Sequence, residues 1–299
     1  MNDRKIFNAL KPCLPFYLLA MLLILGMKYG YGKADGEELL WILAPTCWWV
    51  RFLSGIPFQW VPDVGYVSHS ARFIIAKSCS GVQFMMVSIA ALVFSFLHRK
   101  KTLGQAGRWL LDAVGISYLY TIFVNGLRIL MSIYLPRLFN GLIFPAGWLT
   151  KERLHSIIGI AVYFTALFIL YQLADQKTQP ADQRAHSSAQ KTQPADQKAQ
   201  PFGQKIIRMG LNRYLMPLFW YFFMVLGFPF LNGAAWANRQ GFFGYARLIA
   251  LVCLSLVLLF NLFHLLAKRV FPKLSNFLKL SKCFSPTASP GAKKPPQDP

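Results

Sequence analysis

The sequence predicts an all-α polytopic membrane protein with about six transmembrane helices and one re-entrant or interfacial segment at residues 39–56. Three observations carry that expectation. First, 55% of the 299 residues are apolar and only 14% are charged, whereas a soluble domain carries about a quarter charged residues. Second, apolar runs of membrane-spanning length recur at residues 14–31, 81–97, 109–127, 154–173, 214–231 and 245–267, and about twenty such residues cross a bilayer as a helix. Third, about two-thirds of the 32 Lys and Arg residues gather in four segments between these runs or outside them. That is the asymmetry of cytoplasmic loops. It also explains the net charge of +21 without nucleic acid, for which no binding module is visible.

The charges orient the runs. Arg4, Lys5 and Lys11 against Asp3 place the N-terminus in the cytoplasm. The run at 14–31 reads as a retained span, too long for the core of a signal peptide. Lys33, Asp35, Glu37 and Glu38 follow as an outer acidic patch. The run at 81–97 ends in His98-Arg99-Lys100-Lys101 with Arg108 behind it, a cytoplasmic loop. An even number of crossings then separates the two inner segments. The span at 81–97 supplies the second, so residues 39–56 dip in and return or lie in the interface, where Trp41, Trp48 and Trp49 are favoured. Residues 73–76 read as a short extended piece. The span at 109–127 leads out to Arg128, residues 129–153 form an outer loop, and the span at 154–173 returns inside.

Residues 174–208 repeat themselves, Lys177-Thr178-Gln179-Pro180-Ala181-Asp182-Gln183-Arg184-Ala185 and then Lys191-Thr192-Gln193-Pro194-Ala195-Asp196-Gln197-Lys198-Ala199. Two polar copies bury no core, so this is a disordered cytoplasmic linker. Residues 209–267 form an accessory two-helix module. Residues 268–299, basic with Asp298 as the one acid, form a cytoplasmic tail suited to anionic lipid headgroups. Both termini lie inside.

This topology brings Cys79, Arg128 and His155 to the outer face. Cys79 sits in Lys77-Ser78-Cys79-Ser80-Gly81-Val82-Gln83, a polar stretch at the mouth of a span. It is a nucleophile or a small apolar filler of a helix end. As a nucleophile it has Lys77 and a helix N-terminus nearby to favour the thiolate. His155 is a base that later protonates a leaving amine, or a residue that caps and packs. Arg128 stays charged and cannot be a base. It stabilises an oxyanion, or it snorkels to a lipid phosphate. His69 is the other outer histidine and the reserve base. Ser78 and Ser80 read as helix N-caps, and Lys151 and Arg153 as headgroup contacts. Cys13, Cys47, Cys253 and Cys283 show no regular spacing, so neither zinc nor a redox pair is expected. A Cys47–Cys79 disulfide would exclude the nucleophile. No nucleotide loop, metal site or haem motif is present, and no cofactor is expected.

Ser-Cys-Ser-Gly before a span, Asn-x-x-Arg late in the next and His-x-x-x-Gly opening another resemble the exosortase/archaeosortase family of membrane cysteine transpeptidases. Here these are Cys79 with Gly81, Asn125 with Arg128, and His155 with Gly159. The stretch Leu40-Trp41-Ile42-Leu43-Ala44-Pro45 is most similar to exosortase K. The resemblance covers about residues 10–173, which makes 1–173 the catalytic domain. It implies an enzyme of the bacterial inner membrane that cleaves the C-terminal sorting signal of exported proteins. Cys79 would carry the acyl group, His155 move protons and Arg128 stabilise charge. The implied partners are the sorting-signal helix and membrane lipids, with no nucleic acid. The competing expectation is a non-enzymatic transporter or polymer-export component, which intramembrane polar residues commonly mark. A lipid-binding scaffold built on Arg128, Lys151 and Arg153 is a third.

Overall fold

The computed structural model describes residues 13–100, 102–138, 150–178, 214–231, 233, 236 and 239–282. Six helices are long and apolar enough to cross a membrane. The fold is that of an all-α polytopic membrane protein. The helices are α1 (Leu14–Lys33), α2 (Leu40–Ser54), α3 (Val82–Phe96), α4 (Leu103–Leu138), α5 (Lys151–Thr178), α6 (Tyr214–Leu231) and α7 (Arg239–Lys282), and α2 is the one too short to span. A three-stranded antiparallel sheet lies between α2 and α3 in sequence: β1 (Gln59–Val61), β2 (Gly65–Ser68) and β3 (Phe73–Ile75).

The chain falls into two compact units, Met1–Leu256 and Val257–Pro299. The first takes in α6 and the start of α7 together with α1 to α5. In the second, α7 continues to Lys282.

The most apolar window of α3 is 83% buried, against 11% for α1. Its sequence, Val-Gln-Phe-Met-Met-Val-Ser-Ile-Ala-Ala-Leu-Val-Phe-Ser-Phe, is apolar on every face. A helix apolar all round is satisfied only when other helices surround it. α1, α4, α5 and the middle of α6 do so. Rings join them: Phe84 stacks on Tyr163 of α5 and Phe94 on Trp220 of α6. At the far end of α3, Arg99 pairs with Asp175 of α5 at 2.8 Å and also donates to Thr178 at 2.9 Å.

Several expectations shift. Residues 39–56 hold one helix, α2, rather than a dip and return. α2 has 15 residues, about 22 Å at 1.5 Å per residue, short of the ~30 Å hydrocarbon layer. It lies along α4, with the Tyr118 hydroxyl donating to the Trp41 carbonyl at 2.7 Å. α4 does not stop at Arg128. Its 36 residues run on through Ile129, Leu130, Met131, Ile133 and Tyr134 to Leu138. Those apolar residues sustain the helix, and the charge that looked like a terminus is turned into protein. α5 runs past residue 173 to Thr178, where the Arg99–Asp175 pair holds its last turn. α7 begins before residue 245 and continues past 267. The rest of the expected linker (179–208), residues 209–213 of the two-helix module, the tail beyond Lys282 and residues 139–149 of the expected outer loop lie outside the described residues.

β3 matches the extended piece expected at 73–76, while β1 and β2 are additional. Gly65 permits the close approach of β2 to β3: its φ is +114° and a Cβ there would stand 2.5 Å from the Ile75 carbonyl oxygen. Arg137 at the end of α4 ties the sheet down by donating to the Ala71 carbonyl at 3.1 Å.

Candidate functional site

Cys79 ends a short 3-10 turn, Lys77–Cys79, that precedes α3. Its N–H donates to the Ala76 carbonyl at 2.8 Å. The chain then breaks direction at Gly81, whose φ is +76°, a conformation that favours glycine. Gly81 takes the N-cap position of α3, so neither Ser78 nor Ser80 caps it as expected. The Ser80 hydroxyl accepts from the Val82 N–H at a long 3.5 Å. Gly81 is also the point where the chain presses on α4. A Cβ there would lie 3.0 Å from both Asn125 Cγ and Thr121 Cγ2. The glycine of Ser-Cys-Ser-Gly therefore serves both a backbone turn and a close approach.

Lys77 is not the cation beside the thiol. Its ammonium donates to the Ala34 carbonyl at 2.6 Å and to the Gly32 carbonyl at 3.3 Å, capping the end of α1.

Arg128 is 8% exposed. Its Nη2 lies 2.8 Å from His155 Nε2. Its Nη1 donates to the Tyr163 hydroxyl at 3.2 Å and to Asn125 Oδ1 at 3.4 Å. Its Nε has no partner and packs against Gly159, where a Cβ would stand 3.2 Å away. No carboxylate pairs with it among the described residues. Because a guanidinium only donates, His155 Nε2 accepts, and the ring is the neutral tautomer with its proton on Nδ1. Phe73 of β3 covers the imidazole, with ring centroids 6.5 Å apart.

Asn125, fully buried, closes the circuit. Its Nδ2 donates to the Cys79 carbonyl at 2.6 Å, and its Oδ1 accepts from the Tyr163 hydroxyl at 2.8 Å. Arg128 and His155 line a cavity of about 190 Å³ together with Ser78, Ser80 and Ser156. Phe84, Val87 and Ile160 form its apolar part. Cys79 itself is 6% exposed and does not line the cavity, although Ser78 and Ser80 on either side of it do.

Two features are absent from the sequence reasoning. Tyr163 is one; its signal is that it follows His155 by eight residues and so shares its side of α5. The other is the contribution of the C-terminal helices. Tyr221, Val225 and Tyr245 wall the cavity, and Val225 lies on a π-helical stretch of α6, Phe223–Gly227, a distortion that recurs at functional sites.

The remaining candidates fall elsewhere. His69 is exposed on the turn between β2 and β3 and does not line the cavity. Cys13, Cys47, Cys79 and Cys253 are free and buried, so no Cys47–Cys79 bridge forms. Burial pushes the Cys47 thiol up to about 11 against the smaller opposing pull of Arg51, which makes it a packing residue. Cys283 lies outside the described residues. Comparison with family models, with curated proteins and with solved structures finds no match.

Proposed function

We propose that this chain is a membrane cysteine transpeptidase or protease of the exosortase kind, most like exosortase K. It cleaves C-terminal sorting signals of exported proteins through an acyl-enzyme on Cys79, at the outer face of a bacterial inner membrane. One observation carries the proposal. A buried guanidinium without a carboxylate donates to a neutral histidine, in a cavity flanked by the two serines around a free cysteine. Keeping an unpaired ion out of water costs several kcal/mol. Such a group is suited to meet negative charge that arrives only during reaction.

The chemistry follows from the hydrogen-bonding capacities. A substrate carbonyl enters the cavity and its oxygen draws the Arg128 guanidinium. His155 Nε2 loses its donor and its lone pair becomes free. The Cys79 side chain turns past Ser78 and Ser80, its thiol proton passes to Nε2, and sulfur bonds to the carbonyl carbon. The oxyanion is held by Arg128. His155 is now cationic and has no acceptor to offer the guanidinium, so the Arg128–His155 bond cannot re-form at this stage. Collapse breaks the C–N bond, and Nε2 gives its proton to the leaving amine. An acceptor nucleophile, or water, then attacks the thioester and gives its proton to Nε2; the C–S bond breaks, and the Cys79 sulfur takes that proton from Nε2 to leave as the thiol, with His155 neutral again.

The test is complementation with Cys79→Ala and Cys79→Ser, following a tailed substrate by size on a gel. The proposal expects full-length substrate with both variants present in the membrane at normal levels. Unchanged processing in both would leave Cys79 as packing and transfer the case to a non-enzymatic transporter or polymer-export component.

A further inference from the structure

We propose that Tyr163 is a positioning residue, whose hydroxyl sets the orientation of the Asn125 amide and so holds the backbone of Cys79. The proposal rests on Cys79 being the nucleophile.

The hydrogen bonds admit one assignment of protons. The Cys79 carbonyl only accepts, so the Asn125 amide must turn its NH2 toward it, at 2.6 Å. Oδ1 then faces Tyr163 and Arg128. Arg128 only donates, so the Tyr163 oxygen accepts from Nη1 at 3.2 Å. The phenolic proton is left for Asn125 Oδ1, at 2.8 Å. Every bond runs in one direction: guanidinium, phenol, amide, carbonyl. A full charge heads the chain, which polarises each bond after it.

Within this chain the hydroxyl is the part without a substitute. Arg128 also reaches Asn125 Oδ1 directly, but at 3.4 Å, beyond the ordinary N–H···O range. Without the Tyr163 hydroxyl the amide is held on that side by this long contact alone. The turn bearing Cys79 would lose the defined tether that joins it to α4. The Tyr163 ring is independently fixed by stacking on Phe84, with centroids 4.7 Å apart and planes 11° apart. Removing the hydroxyl therefore leaves the packing in place. Attack by sulfur depends on placement to within a fraction of an ångström, and about 1 Å of misplacement costs on the order of a hundredfold.

The experiment uses the full chain, purified in detergent, with Tyr163→Phe and a packing control, Phe96→Leu, which weakens the buried core at the far end of α3 without touching Tyr163 or the cavity. Three quantities are read: kcat and KM for a tailed substrate, the rate of Cys79 alkylation by iodoacetamide followed on its own peptide by mass spectrometry, and the thermal midpoint. Tyr163→Phe is expected to lower kcat by roughly tenfold or more with KM within about twofold. It changes the alkylation rate at least severalfold while its thermal midpoint stays near that of the parent. Phe96→Leu is expected to lower the thermal midpoint and leave the alkylation rate near the parent's. If Tyr163→Phe does not fold, Asn125→Asp takes its place, since an ionised carboxylate cannot donate to the Cys79 carbonyl, and the same changes are expected. Alkylation and kcat both within twofold of the parent overturn the proposal, as does a loss of kcat matched by loss of folded protein. The alkylation arm needs no substrate. If Cys79→Ala still processes substrate, the nucleophile falls, whatever the alkylation of Tyr163→Phe shows. If Cys79→Ala is inactive and Tyr163→Phe is unchanged, only the role of Tyr163 falls.

Discussion

Placing a methyl group at Gly81 should cost more stability than the same change at Gly55, and the difference measures how tightly the turn bearing Cys79 is pressed against α4. Both glycines have positive φ, +76° and +68°. At Gly55, which ends α2, an added Cβ meets nothing within 4 Å. Gly55→Ala therefore carries only left-handed strain, roughly 1–2 kcal/mol. Gly81→Ala carries the same strain, and its Cβ also arrives 3.0 Å from Asn125 Cγ and from Thr121 Cγ2. Neither neighbour is a free side-chain end. Asn125 is bonded to the Cys79 carbonyl and Thr121 is fully buried. Relief therefore requires the turn and α4 to move apart by a few tenths of an ångström, and overpacking of this kind costs about 1–3 kcal/mol more. The total for Gly81→Ala is about 2–5 kcal/mol. Equilibrium unfolding of the purified chain in mixed micelles, followed by tryptophan fluorescence, compares the two variants against one parent. Equal losses at the two positions would refute the close approach. A loss at Gly81 together with unchanged processing would show that the pressure on Asn125 has no bearing on Cys79.

Three further outcomes are expected. Gly159→Ala sets a Cβ 3.2 Å from Arg128 Nε; the guanidinium must give way, and processing falls by on the order of tenfold or more, whereas an unchanged rate would mean that the Arg128–His155 geometry is not critical. Val225→Phe thickens a wall of the 190 Å³ cavity and raises KM for substrate, while Cys79 alkylation by the small reagent iodoacetamide stays near the parent rate; equal losses in both would point to misfolding instead. The Arg99–Asp175 pair spans 2.8 Å with its side chains 30% and 29% exposed, so a double-mutant cycle with Arg99→Ala and Asp175→Ala should give a coupling of about 1 kcal/mol or less that shrinks in salt. A coupling several times larger would mean that the pair is shielded from solvent.

The spans were legible because their signal is composition, which needs no knowledge of neighbours. Apolar runs at 14–31, 81–97 and 214–231 became α1, α3 and α6 with close to the expected bounds. The end of α4 was not legible for a related reason. A charge after an apolar run reads as a helix end at the interface, but Arg128 turns inward, and what makes that tolerable is the partners it finds on α5. No feature of the local sequence encodes those partners. The site divided the same way. The two motif glycines and the Cys, Arg and His were visible as spacing, and Gly81 and Gly159 each turn out to meet a neighbour, Asn125 and Arg128 in turn. Tyr163 was invisible because a tyrosine in an apolar helix is ordinary, and only its distance to Asn125 distinguishes it. β1 and β2 were not legible because Pro62, Asp63 and Gly65 between and within them suggest loop as readily as hairpin.

The C-terminal helices change what the site must be. Residues 1–173 carry the whole motif set, yet the cavity has a further side, supplied by Tyr221, Val225 and Tyr245. α6 is held there by specific contacts rather than by apolarity alone. The Trp220 indole N–H donates to the Ser95 hydroxyl of α3 at 3.0 Å, its ring stacks on Phe94, and Tyr221 sets its edge against Phe164 of α5. Between helices already in lipid, a hydrogen bond and matched rings are what select one packing over others, because burial from lipid gives little net drive. Val225 sits on the π-helical stretch, and an inserted residue there rotates the following turn relative to a regular helix. The side chains that face the cavity are thus set by that local distortion. A substrate reaching Arg128 must lie against Tyr221 and Val225, so the part of the chain without motif residues shapes what the part with them can bind.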